Sequence, residues 1–221
     1  MFFIAQDYDL SALGCSDAVS ERIMKNTGSC SGGGQLNVIG FDIATTGGFY
    51  ELIEVCFDSQ EETTLYTKHT LHGANIAAKD VEEGRPSFKT DSGFFSVSMN
   101  TVYAQASQLE LMTTLLGDAA NLLYNNSHTP VSKLWDSVHR LPFSALLNNA
   151  IPTGNYEDLA NQIIDPSQQL YFAKGHMSPD ADFVTIAEQD ATYYFINALP
   201  QWQAFNNGNW KVNISFCNKV R

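Results

Sequence analysis

An α+β fold, with an antiparallel sheet and flanking helices, is what the 221-residue chain predicts. Three observations carry that expectation. Short apolar and aromatic runs bounded by turn residues succeed one another between Leu36 and Leu71. An apolar stripe at three- and four-residue spacing runs from Leu109 to Leu123. The last quarter, Gln168 to Trp210, reads as strand, polar turn, strand and helix. With 44% hydrophobic residues the chain can bury a real core, as one large domain or two small ones.

Residues 1–35 mix short apolar pieces with Ser and Gly and end in Cys30-Ser31-Gly32-Gly33-Gly34, which predicts a flexible connector. We therefore expect an N-terminal segment or linker over 1–35 and a domain over 36–221. No Gly-Lys-Ser/Thr follows the glycines, so they are not a phosphate-binding loop. Leu36–Phe41, Phe49–Asp58 and Thr64–Leu71 predict three strands of a meander, rich in β-branched and aromatic residues. His69 and His72 are expected as exposed polar rings near the last strand end. In Arg85-Pro86-Ser87-Phe88 the proline pushes Arg85 into extended geometry.

Leu109, Met112, Leu115, Leu116, Ala119 and Leu123 form one face of a helix within 96–124, expected to pack against the meander. Asn125-Asn126-Ser127-His128-Thr129-Pro130 ends it, and Val131–Arg140 predicts a second, short helix. Trp135 and His139, four apart, need no role beyond core or surface contacts. Asn148–Asp165 mixes polar turns with Ile163-Ile164.

Twelve basic against twenty-four acidic residues give a net charge of −12, which argues against a protein that coats polyanions over a long footprint. An enzyme acting on nucleic acid needs only local cations, so that class stays open. Cysteines at 15, 30, 56 and 217 lack the C-x-x-C spacing of a zinc site and leave disulfides or buried thiols. Asn125-Asn126-Ser127 and Asn213-Ile214-Ser215 are glycosylation sequons. The start, Met1-Phe2-Phe3-Ile4-Ala5-Gln6-Asp7, lacks the basic and long apolar parts of a signal peptide, and no stretch reaches membrane-spanning length.

Chemistry concentrates in the last quarter. Gln169-Leu170-Tyr171-Phe172 predicts a strand that delivers Lys174-Gly175-His176 to its end, with Gly175 read as the site of a tight turn. Hydrolysis of a phosphodiester needs a base for water and positive charge for the phosphate. A histidine, with an ordinary pKa of about 6.5, suits the first task, and a divalent cation the second. Asn206 offers an amide oxygen, enough for a magnesium ion that keeps several waters. Tyr193–Ile196 predicts a second strand and Gln201–Trp210 a helix after Pro200, so the order is strand, histidine, strand, helix with asparagine.

Tyr171-Phe172-Ala173-Lys174-Gly175-His176-Met177-Ser178-Pro179-Asp180-Ala181-Asp182-Phe183, followed by Asn197-Ala198-Leu199-Pro200-Gln201 and Phe205-Asn206-Asn207-Gly208-Asn209-Trp210, resembles the paired signature of the DNA/RNA non-specific endonucleases, the ββα-metal nucleases. The resemblance implies that His176 is the general base, Asn206 the ligand of magnesium (or manganese in its place), and Asn197 a second asparagine supporting the site. The family's Asp-Arg-Gly-His motif appears as Ala173-Lys174-Gly175-His176. Lys174 keeps the usual arginine's charge but loses its planar two-point grip on phosphate. Arg85, in its Arg-Pro-x-Phe tetrapeptide, is similar to an arginine that faces the phosphate in the animal branch degrading double-stranded RNA, and Ala173 points to the same branch. The implied protein is a secreted hydrolase with DNA and RNA as substrates and a preference for double-stranded RNA, and with no membrane partner.

The resemblance covers roughly Leu36 to Trp210. Ile214 stands where the family helix offers a glutamate, and Lys211–Arg221 is unlike the family, so a domain truncated after about residue 210 is expected, exposing Phe205 and Trp210. Two rival readings follow. One is a catalytically inactive relative that binds nucleic acid or a protein partner. The other makes the N-terminal half a separate interaction module.

Overall fold

The computed structural model describes residues 21–43, 47–72, 79–80, 84–125 and 156–210. In chain order its main elements are β1 (Glu21–Ser29), β2 (Gln35–Ile43), β3 (Gly48–Asp58), β4 (Thr63–His69), α1 (Met99–Val102), α2 (Gln105–Asn125), α3 (Tyr156–Ile163), β5 (Phe172–His176), α4 (Ile186–Ala191), β6 (Ala198–Trp202) and α5 (Gln203–Phe205). Two units share the chain: residues 1–88 with 178–197, and residues 89–177 with 198–221. Among the described residues the architecture is α+β with antiparallel sheets, as the patterning predicts. The expected helix over Val131–Arg140, the residues Trp135 and His139, the Asn213 sequon, Ile214, and Cys15 and Cys217 lie outside the described residues.

In the first unit β1-β2-β3-β4 form a four-stranded antiparallel meander in sequence order. Val38, Ile39 and Phe41 on β2 and Leu52, Ile53, Val55, Cys56 and Phe57 on β3 are buried, as suits two central strands. The segment Tyr193–Ile196 adds four further buried residues. Thr64 Oγ1 donates to the Ile196 carbonyl at 2.6 Å. Phe88 sets its ring 5.1 Å from that of Tyr193 and 5.4 Å from that of Phe195, so the piece behind Arg85 is anchored in this core.

The linker expected over 1–35 is not a linker where it is described. Residues 21–29 are a strand paired with β2, and the glycines make the turn between them. Gly32 (φ 93°) and Gly33 (φ 86°) take the left-handed backbone that side chains resist. Cys30 is bonded to Cys56 in the centre of the sheet. Gly34 lies against that bond: a Cβ there would come within 2.9 Å of Cys56 Sγ and of the Phe57 carbonyl, and 3.1 Å of Cys30 Sγ. Gly34→Ala is therefore expected to destabilise the fold by about 1–3 kcal/mol, the usual cost of overpacking. A urea melt reads it, and an unchanged midpoint contradicts the packing described.

In the second unit α2 packs its apolar face on α3. Leu116, Leu159 and Ala160 are the buried centre, with Leu109, Met112, Tyr156 and Ile163 around them. The stripe thus finds a helix, where the periodicity suggested the sheet, and Leu115 is 52% exposed instead of buried. β5 and β6 form a separate two-stranded antiparallel ribbon, in register from Phe172↔Trp202 to His176↔Ala198. Phe172 and Trp202 stack with centroids 4.4 Å apart at its open end.

Candidate active site

The ribbon shows where sequence reading misplaced an element. Tyr193–Ile196 is not a strand: its four large side chains are all buried, and Phe195–Asn197 is a tight helical turn. The strand is Ala198–Trp202, and it contains Pro200 opposite Lys174. Proline has no N–H to give, but in a two-stranded ribbon half of the N–H groups face away from the partner, so it is tolerated. A short helix, α5, follows at once, its Gln203 N–H donating to the Tyr171 carbonyl at 2.9 Å. The chain then enters a wide turn, Asn206–Trp210, broken by the non-helical Gly208. Strand, strand and helical turn succeed one another in the ββα order.

β5 carries Lys174 and His176, two residues apart and thus on one face of the strand. Both are half-buried. Burial lowers the Lys174 ammonium below the ordinary lysine pKa. Its Nζ lies 3.4 Å from Asn100 Oδ1 and 5.9 Å from the centroid of the Tyr103 ring, near enough for cation–π attraction. Burial likewise pushes the Tyr103 hydroxyl pKa up.

Gly175 is not a turn. It lies inside β5, without positive φ, and is buried. Glycine is needed there because the Gln201 side chain lies across it: a Cβ would fall among the Gln201 Cγ, Cδ and Oε1 atoms. Gly175→Ala is expected to force Gln201 off the ribbon at a cost of about 1–3 kcal/mol. Thermal melting measures the loss, and a wild-type melt would show that Gln201 swings aside freely.

Two buried carboxamides hold the segment on either side of His176. Gln108 Oε1 accepts from the Phe172 N–H (2.8 Å), and its Nε2 donates to the Phe172 carbonyl (3.0 Å) and the Tyr103 carbonyl (2.9 Å). It acts as a substitute strand where β5 begins, and nothing local in the sequence marks it. Asn197 does the same in the first unit. Its Oδ1 accepts from the Ser178 N–H (2.9 Å), while Nδ2 donates to the carbonyls of Ser178 and Thr192, each at 2.8 Å. Asn197 is fully buried, with its amide committed to backbone.

Asn206 is half-buried; its backbone N–H donates to the Gln203 carbonyl, and its side-chain amide makes no hydrogen bond with the described residues. No cluster of three or more His, Cys, Asp or Glu suited to a metal exists among the described residues. The donor set therefore fits a hard cation bound by one amide oxygen, water and substrate better than one caged by protein. Arg85 is exposed in the first unit and makes no ion pair with a described residue. Phe205, next to Asn206, is 45% exposed.

His69 departs from expectation. Its ring is largely buried: Nδ1 lies 2.9 Å from Ser178 Oγ, and Nε2 3.1 Å from Asp182 Oδ2. His72 is exposed, as the patterning suggested.

A profile of the DNA/RNA non-specific endonucleases matches residues 32–213. A salivary endonuclease of Lutzomyia longipalpis is 26% identical over 204 residues, 92% of this chain and 39% of that protein. A salivary endonuclease of Culex quinquefasciatus is 43% identical over 47 residues, 20% of this chain and 13% of that protein. The chain thus spans about two fifths of the length of the first of these curated relatives. No solved structure matches. With the profile running from the glycine turn through the strand, strand and helical turn of the ribbon, the chain belongs to the DNA/RNA non-specific endonuclease family.

Proposed function

We propose that the chain is a metal-dependent endonuclease that hydrolyses phosphodiester bonds in DNA and RNA, double-stranded RNA included. The observation that carries this is the ribbon followed by α5: it presents His176 on one strand and the uncommitted amide of Asn206 directly after the other, inside the family match.

In this reading His176 takes the proton from the attacking water. Lys174, beside it on the same strand face, holds a phosphate oxygen as a compact cation. Arg85 gives a further positive contact to the substrate backbone. Asn197 touches no substrate, being buried, and keeps the chain beyond His176 in place. Asn206 would hold magnesium, or manganese in its place, which supplies positive charge to the phosphate when bound. The ordinary pKa of a histidine suits the base.

Secretion is part of the proposal. The relatives are named salivary endonucleases, and a Cys30–Cys56 bond suits an oxidising compartment. No helix among the described residues is long and apolar enough to cross a membrane.

The test is cleavage of plasmid DNA and long double-stranded RNA by the purified chain, with magnesium and with a chelator. Cleavage that disappears with chelator and returns with magnesium is the expected result. A folded chain that binds these substrates without cutting them would replace the enzyme reading with that of a binding relative.

A further inference from the structure

Thr67, His69, Ser178 and Asp182 form a connected set inside the first unit. Ser178 Oγ is 2.8 Å from Thr67 Oγ1 and 2.9 Å from His69 Nδ1, and His69 Nε2 is 3.1 Å from Asp182 Oδ2. The His69 and Asp182 side chains are only 16% and 15% exposed. His69 also packs on Phe183, centroids 5.0 Å apart. Serine, histidine and aspartate in sequence suggest a nucleophile with its base, but Ser178 is 0% exposed and no substrate carbon or phosphorus can approach it. The set therefore acts on the protein itself.

A carboxylate only accepts, so Nε2 carries hydrogen and donates to Asp182. Nδ1 faces the Ser178 hydroxyl, which donates to Thr67 Oγ1, so the connection runs from Asp182 through His69 to Ser178. Its end point is Ser178, whose backbone Asn197 holds as well.

We propose that His69, braced by Asp182, is a positioning residue for the cleavage reaction: it fixes the Ser178 side chain and so the course of the chain two residues beyond His176. This rests on the nuclease reading above. His69 moves no proton in the reaction and touches no substrate.

The test uses the 221-residue chain with His69→Gln and Ser178→Ala, each assayed well below its own melting temperature. We expect kcat to fall by about 10- to 100-fold, as small misplacements of reacting groups do, with KM changed by less than about twofold. The kcat–pH profile should keep its shape, and the ring nitrogen signals of His176, assigned by their loss in His176→Ala, should shift. Folded variants with wild-type kcat and unmoved His176 signals would overturn the proposal, since His69 would then contribute stability alone. A lost limb in the pH profile of His69→Gln would also overturn it, because His69 would be titrating in the reaction. If His69→Gln does not fold, Ser178→Ala decides by the same readouts. If the wild-type chain does not cleave, the nuclease reading fails, and the His176 signals alone decide: shifted signals support the positioning role, unmoved ones reject it.

Discussion

His176→Ala is expected to lower the cleavage rate by about 10²- to 10⁴-fold, the range set by loss of a general base, while leaving the melting temperature near that of the wild type. In the proposed mechanism, without His176 the attacking water must lose its proton to solvent, whereas Asn206 and Lys174, proposed to hold the metal and the phosphate, are untouched. His176 is the last residue of β5, half-buried, and the ribbon register continues through backbone bonds that alanine keeps. Of the five histidines, His69 is committed to Ser178 and Asp182, and His72 is exposed in the first unit. Initial rates on plasmid and on double-stranded RNA check the expectation. Near-wild-type cleavage by the alanine variant would remove His176 from the base role.

The second large effect falls on stability. Asn197→Asp changes one group in size hardly at all, yet it puts an oxygen where Nδ2 donates to two buried carbonyls. Both carbonyls lose a donor, and a carboxylate is left facing them. A loss of about 3–5 kcal/mol is expected, as for other unpaired buried charges and hydrogen-bonding groups. At about 2–4 °C per kcal/mol for a chain of this size, the melting temperature should fall by roughly 10 °C. Burial raises the folded-state pKa of the introduced carboxyl above its unfolded value. The variant is therefore closest to wild type below about pH 4, and its deficit grows as pH rises through the folded-state pKa. Thermal melts at acid and neutral pH measure this. An equal deficit at both would mean that charge plays no part.

What could be read from sequence depended on whether the physics was local. β2, β3 and β4 alternate or cluster β-branched and aromatic residues between turn signals, and the meander was legible from them. β1 was not, because only Ile23 of its nine residues is buried, so Glu21–Ser29 carries almost no apolar pattern. The run Tyr193–Ile196 reads as a strand because four apolar residues in line cannot be told from other buried backbone, and the true strand hid behind Pro200. Lys174, His176 and Asn206 could be singled out as candidates because their motifs are contiguous. Gln108 and His69 were not. Their partners lie 64 and 109 residues away, and a hydrogen bond across that distance leaves no mark on the residues beside either end.

The bond between Cys30 and Cys56 ties the turn of the outermost hairpin to a central strand across 26 residues of chain. Loop closure of that length holds back about 3 kcal/mol of unfolded-state entropy, and it is held only where thiols stay oxidised. The fold is thus least secure where thiols are reduced and gains its full strength in an oxidising compartment. If the chain is the exported nuclease proposed above, its robustness arrives with the change of compartment, a safeguard set by thiol chemistry.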